Sequence, residues 1–309
     1  MRSLEIYERL SNSDPAQFEP YLGSVARNLA VIYKALEKMR EAEKMYGRSL
    51  EIFERLAKSN PAQFEPDLAI TVFNLGNFFL EVQKMPEAEK MYQRSMEIFE
   101  RLSKQNPAQF EPALAITLNN FGKFQQTNNA FSKAQDLYSR ALSIRKNQML
   151  NGQSHFREAL DLVYGNMASL RNSFEKIKNY DAVVAIQLDR AICMDSLSTL
   201  DVVFLKRAAN DYGSISWYAI LARKYSEAKA AGEKALSIDP SQNWVHCNFG
   251  HIYLLQHKWS KAKIIYKKFL SVEKDPVAAK SAIVKDFDYL EAAGITCPEM
   301  AKARAWLRN

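Results

Sequence analysis

The chain repeats itself every 46 residues. SLEIYERL begins at Ser3, SLEIFERL at Ser49, SMEIFERL at Ser95 and a more distant ALSIRKNQ at Ala141. The same offset links Ala42, Ala88 and Ala134, then Tyr46, Tyr92 and Tyr138, then Asn28, Asn74, Asn120 and Asn166. A period of about 20–50 residues points to one supersecondary unit that cannot bury its apolar face alone and is stacked on its neighbours.

Each period holds two helical patterns. After Pro66, apolar residues fall at Leu68, Val72, Leu75, Phe79 and Val82, steps of three and four that make one stripe of an amphipathic helix. The next segment, PEAEKMYQRSMEIFERL, carries a second stripe through Ala88, Met91, Tyr92, Ser95, Ile98, Phe99 and Leu102. Pro86 suits a first helical turn, whose N–H has no partner within the helix. The unit is read as a helical hairpin. Between hairpins stands DPAQFEP at residues 14–20 and NPAQFEP at 60–66 and 106–112, with six of the ten prolines. Two prolines five residues apart sit poorly inside one regular helix. These segments are therefore expected to be a long connection, built three times because the same joint is needed three times, with Asp14 or Asn60 capping its start.

Composition agrees with helices. Glycine is 10 of 309 residues, well below the usual share of about 7%. No apolar run approaches the length of about 18 residues that spans a membrane, and MRSLEIYERLSNSD lacks the apolar core of a signal peptide. Cys193, Cys247 and Cys297 form no CxxC pair, so neither a disulfide framework nor a metal site is expected, and a reducing cytoplasm is the simplest location. The net charge of +7 is uneven: residues 1–140 carry 18 basic and 18 acidic side chains, and residues 141–309 carry 24 and 17.

The hairpin resembles the tetratricopeptide repeat. NFGHIYLLQHKWSKAKIIYKKFLSVEKDP, residues 248–276, places Gly250, Tyr253, Trp259, Ala262 and Tyr266 at motif positions, and residues 75–95 match through Leu75, Gly76, Phe79, Ala88, Tyr92 and Ser95. The alanine anchors Ala42, Ala88, Ala134, Ala182, Ala228 and Ala262 are spaced by 46, 46, 48, 46 and 34, and only the last spacing is the family's standard length. The longer units look like the extended repeats of kinesin light chains and of bacterial repeat proteins. The resemblance implies an all-α fold, a right-handed superhelical solenoid of stacked antiparallel hairpins. About six repeats and terminal cap helices are expected in a single solenoid over 1–309. Its parts are a partial repeat over 1–16, three 46-residue repeats over 17–150, a degenerate repeat over 151–200, two more standard repeats over 201–275 and capping helices over 276–309. The chain starts within a repeat, which suggests a piece of a longer array and an uncovered first face through which copies could self-associate.

The resemblance also implies a site. In this family the first helices line a concave wall, on which Asn28, Asn74, Asn120, Asn166 and Asn248 share one motif position. An amide offers two donors and an acceptor, so a ladder of them suits the backbone of an extended peptide. Flanking wall positions are Arg27 and Lys34, Phe73 and Asn77, and Asn119 and Lys123; Trp217, with Trp244, makes the later wall more apolar. In the members that bind chaperone tails, lysines, arginines and asparagines grip a terminal carboxylate. Arg27 and Asn74 match two such positions, but Val31 and Ile116 occupy two others, so the clamp is incomplete and that ligand is not expected.

Other clusters read as ordinary surface. Lys258, Lys261, Lys263, Lys267 and Lys268 make a basic row without an interleaved aromatic platform, so a solvated face is expected and nucleic acid is not. His246, His251 and His257 are five and six residues apart, not the four of a helical metal pair. The carboxylates of the FERL and EAEK segments read as solvated faces. No phosphate loop, HExxH or GxSxG occurs, so no enzyme, cofactor or metal is expected. The expected function is a scaffold that binds a peptide or partner protein in its groove. The alternative is the sensor portion of a protein whose catalytic or DNA-binding domain lies outside this chain.

Overall fold

A computed structural model describes residues 2–308, which form fifteen α-helices, one short 3-10 turn and no strand. They divide into two compact units, one running to Ile144 and one from Arg145.

Unit 1 contains α1 (Arg2–Ser13), α2 (Pro15–Ala35), α3 (Met39–Ser59), α4 (Pro61–Glu81), α5 (Met85–Gln105), α6 (Pro107–Thr127) and most of α7 (Phe131–Leu150). Successive helices from α1 to α6 pack, α2 also touches α4, and Gly122 of α6 lies against Tyr138 of α7. The stripes read from sequence face inward: Ala88, Met91, Tyr92, Ser95, Ile98, Phe99 and Leu102 are all buried, as are Leu68, Val72 and Leu75. The 46-residue equivalents Tyr46, Tyr92 and Tyr138 are among the largest fully buried side chains.

The recurring seven residues are not a long connection. α3 ends at Ser59 and α4 begins at Pro61, leaving Asn60 as the whole joint, and Pro66 lies inside α4. The helix tolerates both prolines for separate reasons. Pro61 is the first helical residue, where no N–H is needed. Pro66 leaves only the carbonyl of Ala62 without its bond, and Ala62 is solvent-exposed, so water can satisfy it. The motif is a capping device. Asn60 Oδ1 accepts from the Gln63 N–H at 3.3 Å while its Nδ2 donates to Gln63 Oε1 at 2.9 Å. Asn106 and Gln109 repeat both bonds, at 3.3 and 3.0 Å. Asp14 accepts from the Gln17 N–H at 3.1 Å. The glutamate of the motif holds the next second helix: Glu19 pairs with Arg55 at 2.5 Å and Glu65 with Arg101 at 2.6 Å.

Within each hairpin a second joint recurs. Glu37, Gln83, Asn129, Lys178, Arg223 and His257 all have φ near +60°. In every case the next N–H reaches back to the carbonyl five residues before it, as in Lys84 N to Phe79 O at 2.8 Å and Lys258 N to Tyr253 O at 2.9 Å. This closes the helix end by satisfying carbonyls that have no helical partner.

Unit 2 contains the end of α7, then α8 (Arg157–Lys176), α9 (Tyr180–Ser196), α10 (Val202–Leu221), α11 (Tyr225–Ile238), α12 (Val245–Leu255), α13 (Trp259–Val272), α14 (Pro276–Ala292) and α15 (Pro298–Arg308). One alanine-anchored position differs from its predecessors in chemistry. Arg190 stands eight residues after Ala182, where Leu50, Met96 and Leu142 stand after their own alanines. It is buried 3.2 Å from Asp211, and its guanidinium carbon lies 4.0 Å from the centroid of the Tyr164 ring. Tyr164 completes the cluster by donating to Asp211 at 2.7 Å. An apolar position is here one member of a buried ion pair.

Candidate binding surface

The structure sorts the predicted wall residues into three groups. Asn28 on α2 is exposed and Asn74 on α4 is half-buried, and neither side chain has a hydrogen bond among the described residues. Asn120 on α6 is half-buried and donates to Ile116 O, one turn back, at 2.9 Å. Asn77 accepts from the Tyr92 hydroxyl at 2.7 Å, which leaves its NH2 available. Burial pushes the Tyr92 hydroxyl above the ordinary tyrosine range, so it remains a donor to Asn77. Phe73 is half-buried, edge-on to the same ring at 6.2 Å. Lys123 is exposed and forms no ion pair.

A second group is committed to structure. Arg27 reaches across to α4, 3.1 Å from Asp67 Oδ1 and 3.2 Å from Asp67 O, with its guanidinium over the Phe53 ring. Lys34 pairs with Glu81 at 2.9 Å. The basic character expected of this wall is thus largely neutralised, and Lys123 is its one unpaired cation. Aliphatic side chains stand beside the asparagines, among them Ile116, which the sequence already places on the wall. Ile70 and Ile116, a 46-residue pair one turn before Asn74 and Asn120, are 39% and 46% exposed.

A third group leaves the wall. Asn119 is 6% exposed and Asn248 is 3% exposed, so neither faces solvent. Asn248 sits in the first turn of the short helix α12 and donates to Gly213 O of α10 at 3.5 Å, a bond between first helices rather than toward a ligand. Trp217 is half-buried, with the rings of His251 and Tyr289 each 5.8 Å away in edge-on contact. Trp244 covers Gly213, where a Cβ would meet its ring at 2.6 Å. Asn166 on α8 is half-buried in unit 2. The predicted wall residues on α2, α4 and α6 that keep solvent access are Asn28, Phe73, Asn74, Asn77, Asn120 and Lys123, and in unit 2 Trp244 is 41% exposed.

Three clefts of unit 1, about 420, 450 and 480 Å³, open elsewhere and none is lined by Asn28, Asn74 or Asn120. Two of them are repeat equivalents, lined by Glu54, Leu68, Arg94 and Arg101 and by Glu8, Leu22, Arg48 and Arg55. The ion pairs Arg48–Glu8, Arg94–Glu54 and Arg140–Glu100 run along the second helices. These FERL carboxylates, read from sequence as a solvated face, are half-buried struts between repeats. The 46-residue recurrence of both partners was the signal for that.

Among the described residues no three His, Cys, Asp or Glu side chains converge as metal ligands, and no helix is long and apolar enough to cross a membrane. His251 is fully buried and held at both ring nitrogens. Its Nδ1 lies 2.9 Å from the Tyr266 hydroxyl and its Nε2 lies 3.1 Å from Asp286. His257 lies 2.8 Å from Glu299 at the surface.

No curated protein matches the sequence. Among solved structures the chain is similar to BtubC (BKLC) from P. vanneervenii, at 20% identity and a TM-score of 0.46 over 78% of this chain and 89% of that one. It is also similar to a tetratricopeptide repeat protein from Parabacteroides merdae, at 14% identity and a TM-score of 0.36 over 93% and 99%. Residues 22–62 and 67–147 each match a family model described as the tetratricopeptide repeat. Such repeats mediate protein–protein interaction. Across these residues the chain belongs to the tetratricopeptide-repeat family.

Proposed function

We propose that unit 1 is a protein-interaction module that holds an extended peptide segment along the α2, α4 and α6 face. The observation that carries this reading is the pair Asn28 and Asn74, equivalent across one 46-residue period and free of intramolecular bonds. Asn120 continues the row with its amide oxygen available. Backbone N–H and C=O groups of an extended chain match such amides as acceptor and donor. Ile70 and Ile116 would meet aliphatic side chains between those bonds. The neutralisation of Arg27 and Lys34 favours a neutral segment over a strongly acidic one. The helices are already packed, so little ordering is lost on this side when a ligand binds.

The test is affinity capture from native lysate with wild type beside an Asn28→Ala, Asn74→Ala, Asn120→Ala variant, followed by crosslink mapping of the captured partner. A partner crosslinked to α2, α4 or α6 and lost by the variant at unchanged melting temperature supports the reading. A partner kept by the variant moves the site away from this row.

A further inference from the structure

The positive charge of the chain has an address. Residues 258–285 contain eight lysines and two carboxylates, a balance of +6 against +7 for the whole chain. None of the eight takes part in an ion pair. Lys258 donates only to Gln256, and Lys261 and Lys263 lie over the rings of Tyr253 and Trp306. The rest of the molecule is different. In residues 1–140, nine of eighteen cations are paired. The nearest carboxylates beyond the segment are engaged as well, Asp286 by His251 and Asp288 by Arg304 at 2.8 Å.

The same segment carries exposed aliphatic side chains. α13 buries Ala262, Tyr266 and Phe269 on one side, and on the other presents Lys261, Ile264, Lys267 and Lys268 at helical spacing. Ile264 is 65% exposed at the centre of that row. Val272 and Val277, at the end of α13 and the start of α14, are 55% and 78% exposed.

We propose that this face of unit 2 is a peripheral docking surface for an anionic lipid bilayer. Charge complementarity requires an anionic partner, and three features select the bilayer. The row runs along the exposed side of one helix, which suits a flat, extended surface rather than a peptide that needs a groove. The cations are all lysine, compact point charges without the planar fork that reads single phosphates or bases. The aromatic side chains near the row are not laid out as a stacking platform: Tyr266 and Phe269 are buried, Trp259 packs on Trp306 at 5.9 Å, and the half-buried Tyr253 and Trp306 rings already lie against Lys261 and Lys263. Clusters of this size on a helix face are drawn to anionic headgroups, and Ile264, Val272 and Val277 would enter the headgroup layer. No helix is inserted, so association is reversible and weakens with salt. From sequence the row reads as a solvated lysine face; the absence of ion pairs and the exposed aliphatics come from the structure.

The test uses the full chain in vesicle co-sedimentation at low salt. Expected is binding to phosphatidylcholine–phosphatidylserine vesicles, none to phosphatidylcholine alone, and a loss on the order of a hundredfold for the Lys261→Gln, Lys267→Gln, Lys268→Gln variant, about fivefold per lysine. Ile264→Ser should weaken vesicle binding and leave binding to poly-glutamate unchanged. Circular dichroism and melting should not move, since all four side chains are exposed. Equal binding to both vesicle types, or a triple variant that sediments like wild type, would overturn the proposal. So would an absence of sedimentation, or binding to poly-glutamate or an oligonucleotide that is tighter than to vesicles and indifferent to Ile264.

Discussion

Arg27 on α2 lies 3.1 Å from Asp67 on α4, so a residue at a wall position of one repeat is a strut to the next. Its side chain is only 13% exposed and also contacts Thr71 at 3.4 Å. A charge-assisted bond of this kind is worth more than a neutral one. Arg27→Ala is expected to cost about 1–2 kcal/mol, seen as a lower urea midpoint. Asn28→Ala and Asn74→Ala, without bonds to lose, should stay within about 0.5 kcal/mol. A loss of similar size for all three would mean that the asparagines are structural.

Glycine tests the packing between the helices of a hairpin. A Cβ at Gly122 would meet the Tyr138 ring at 2.7 Å, and at Gly76 it would meet Tyr92 at 3.3 Å. Ala30 already fills the equivalent place in the preceding repeat and is fully buried. Helix propensity favours alanine by about 1 kcal/mol, and overpacking against a buried ring costs about 1–3 kcal/mol. Gly76→Ala should therefore be neutral or stabilising and Gly122→Ala destabilising in thermal melts. Two variants with the same sign would show that ring position does not decide the outcome.

Asn60 caps α4 and its equivalent Asn106 caps α6 through the same pair of bonds. Asn60→Ala should lower stability by about 1 kcal/mol. Asn60→Asp keeps the acceptor that serves the Gln63 N–H and loses the donor to Gln63 Oε1, as Asp14 does naturally, so it should fall between the two. An aspartate variant as weak as alanine would mean that the side-chain bond to Gln63, not the cap, carries the effect.

The seven-residue motif shows where sequence reasoning reached and where it stopped. Periodicity placed the helices and their buried faces, because one stripe per helix is a local property. The proline rule misplaced the joint, because it weighs the missing N–H without asking whether the orphaned carbonyl, here that of Ala62, is exposed to water. The asparagine row was legible as a repeated position, but its fates were not. Asn28 and Asn74 stay open while Asn248 turns inward, because α12 is a short helix whose first turn lies against α10. Equally, Arg27 and Lys34 could be counted as charges, yet their partners Asp67 and Glu81 lie 40 and 47 residues away and only packing reveals them. The buried Arg190–Asp211 pair, on α9 and α10, is invisible to sequence patterning for the same reason.

The three cysteines should separate by burial. Desolvation pushes the Cys193 thiol up to about 12 and raises Cys247 further, whereas Cys297 is partly exposed and less perturbed. Thiolate is the reactive form. Titration with a thiol reagent at mildly alkaline pH should label Cys297 first, with the other two reacting only as the chain unfolds. Labelling of Cys193 at the rate of Cys297 in native conditions would show that α9 opens locally.

Asp201 gives a pH signature confined to one helix start. It accepts from the Val203 N–H at 2.8 Å and from Arg157 at 2.7 Å, and these bonds, the backbone one first, hold its carboxyl below the usual range. A depressed folded value means the contribution is present above the unfolded pKa and is lost as pH falls through the folded one. Asp201→Asn keeps an oxygen for the cap and removes the charge that pairs with Arg157. Its melting temperature should lie below wild type at neutral pH, and the two should converge as the solution is taken below the ordinary carboxylate range. A gap that stays constant across that titration would mean the carboxylate charge contributes nothing there, and that the loss comes from altered cap geometry alone.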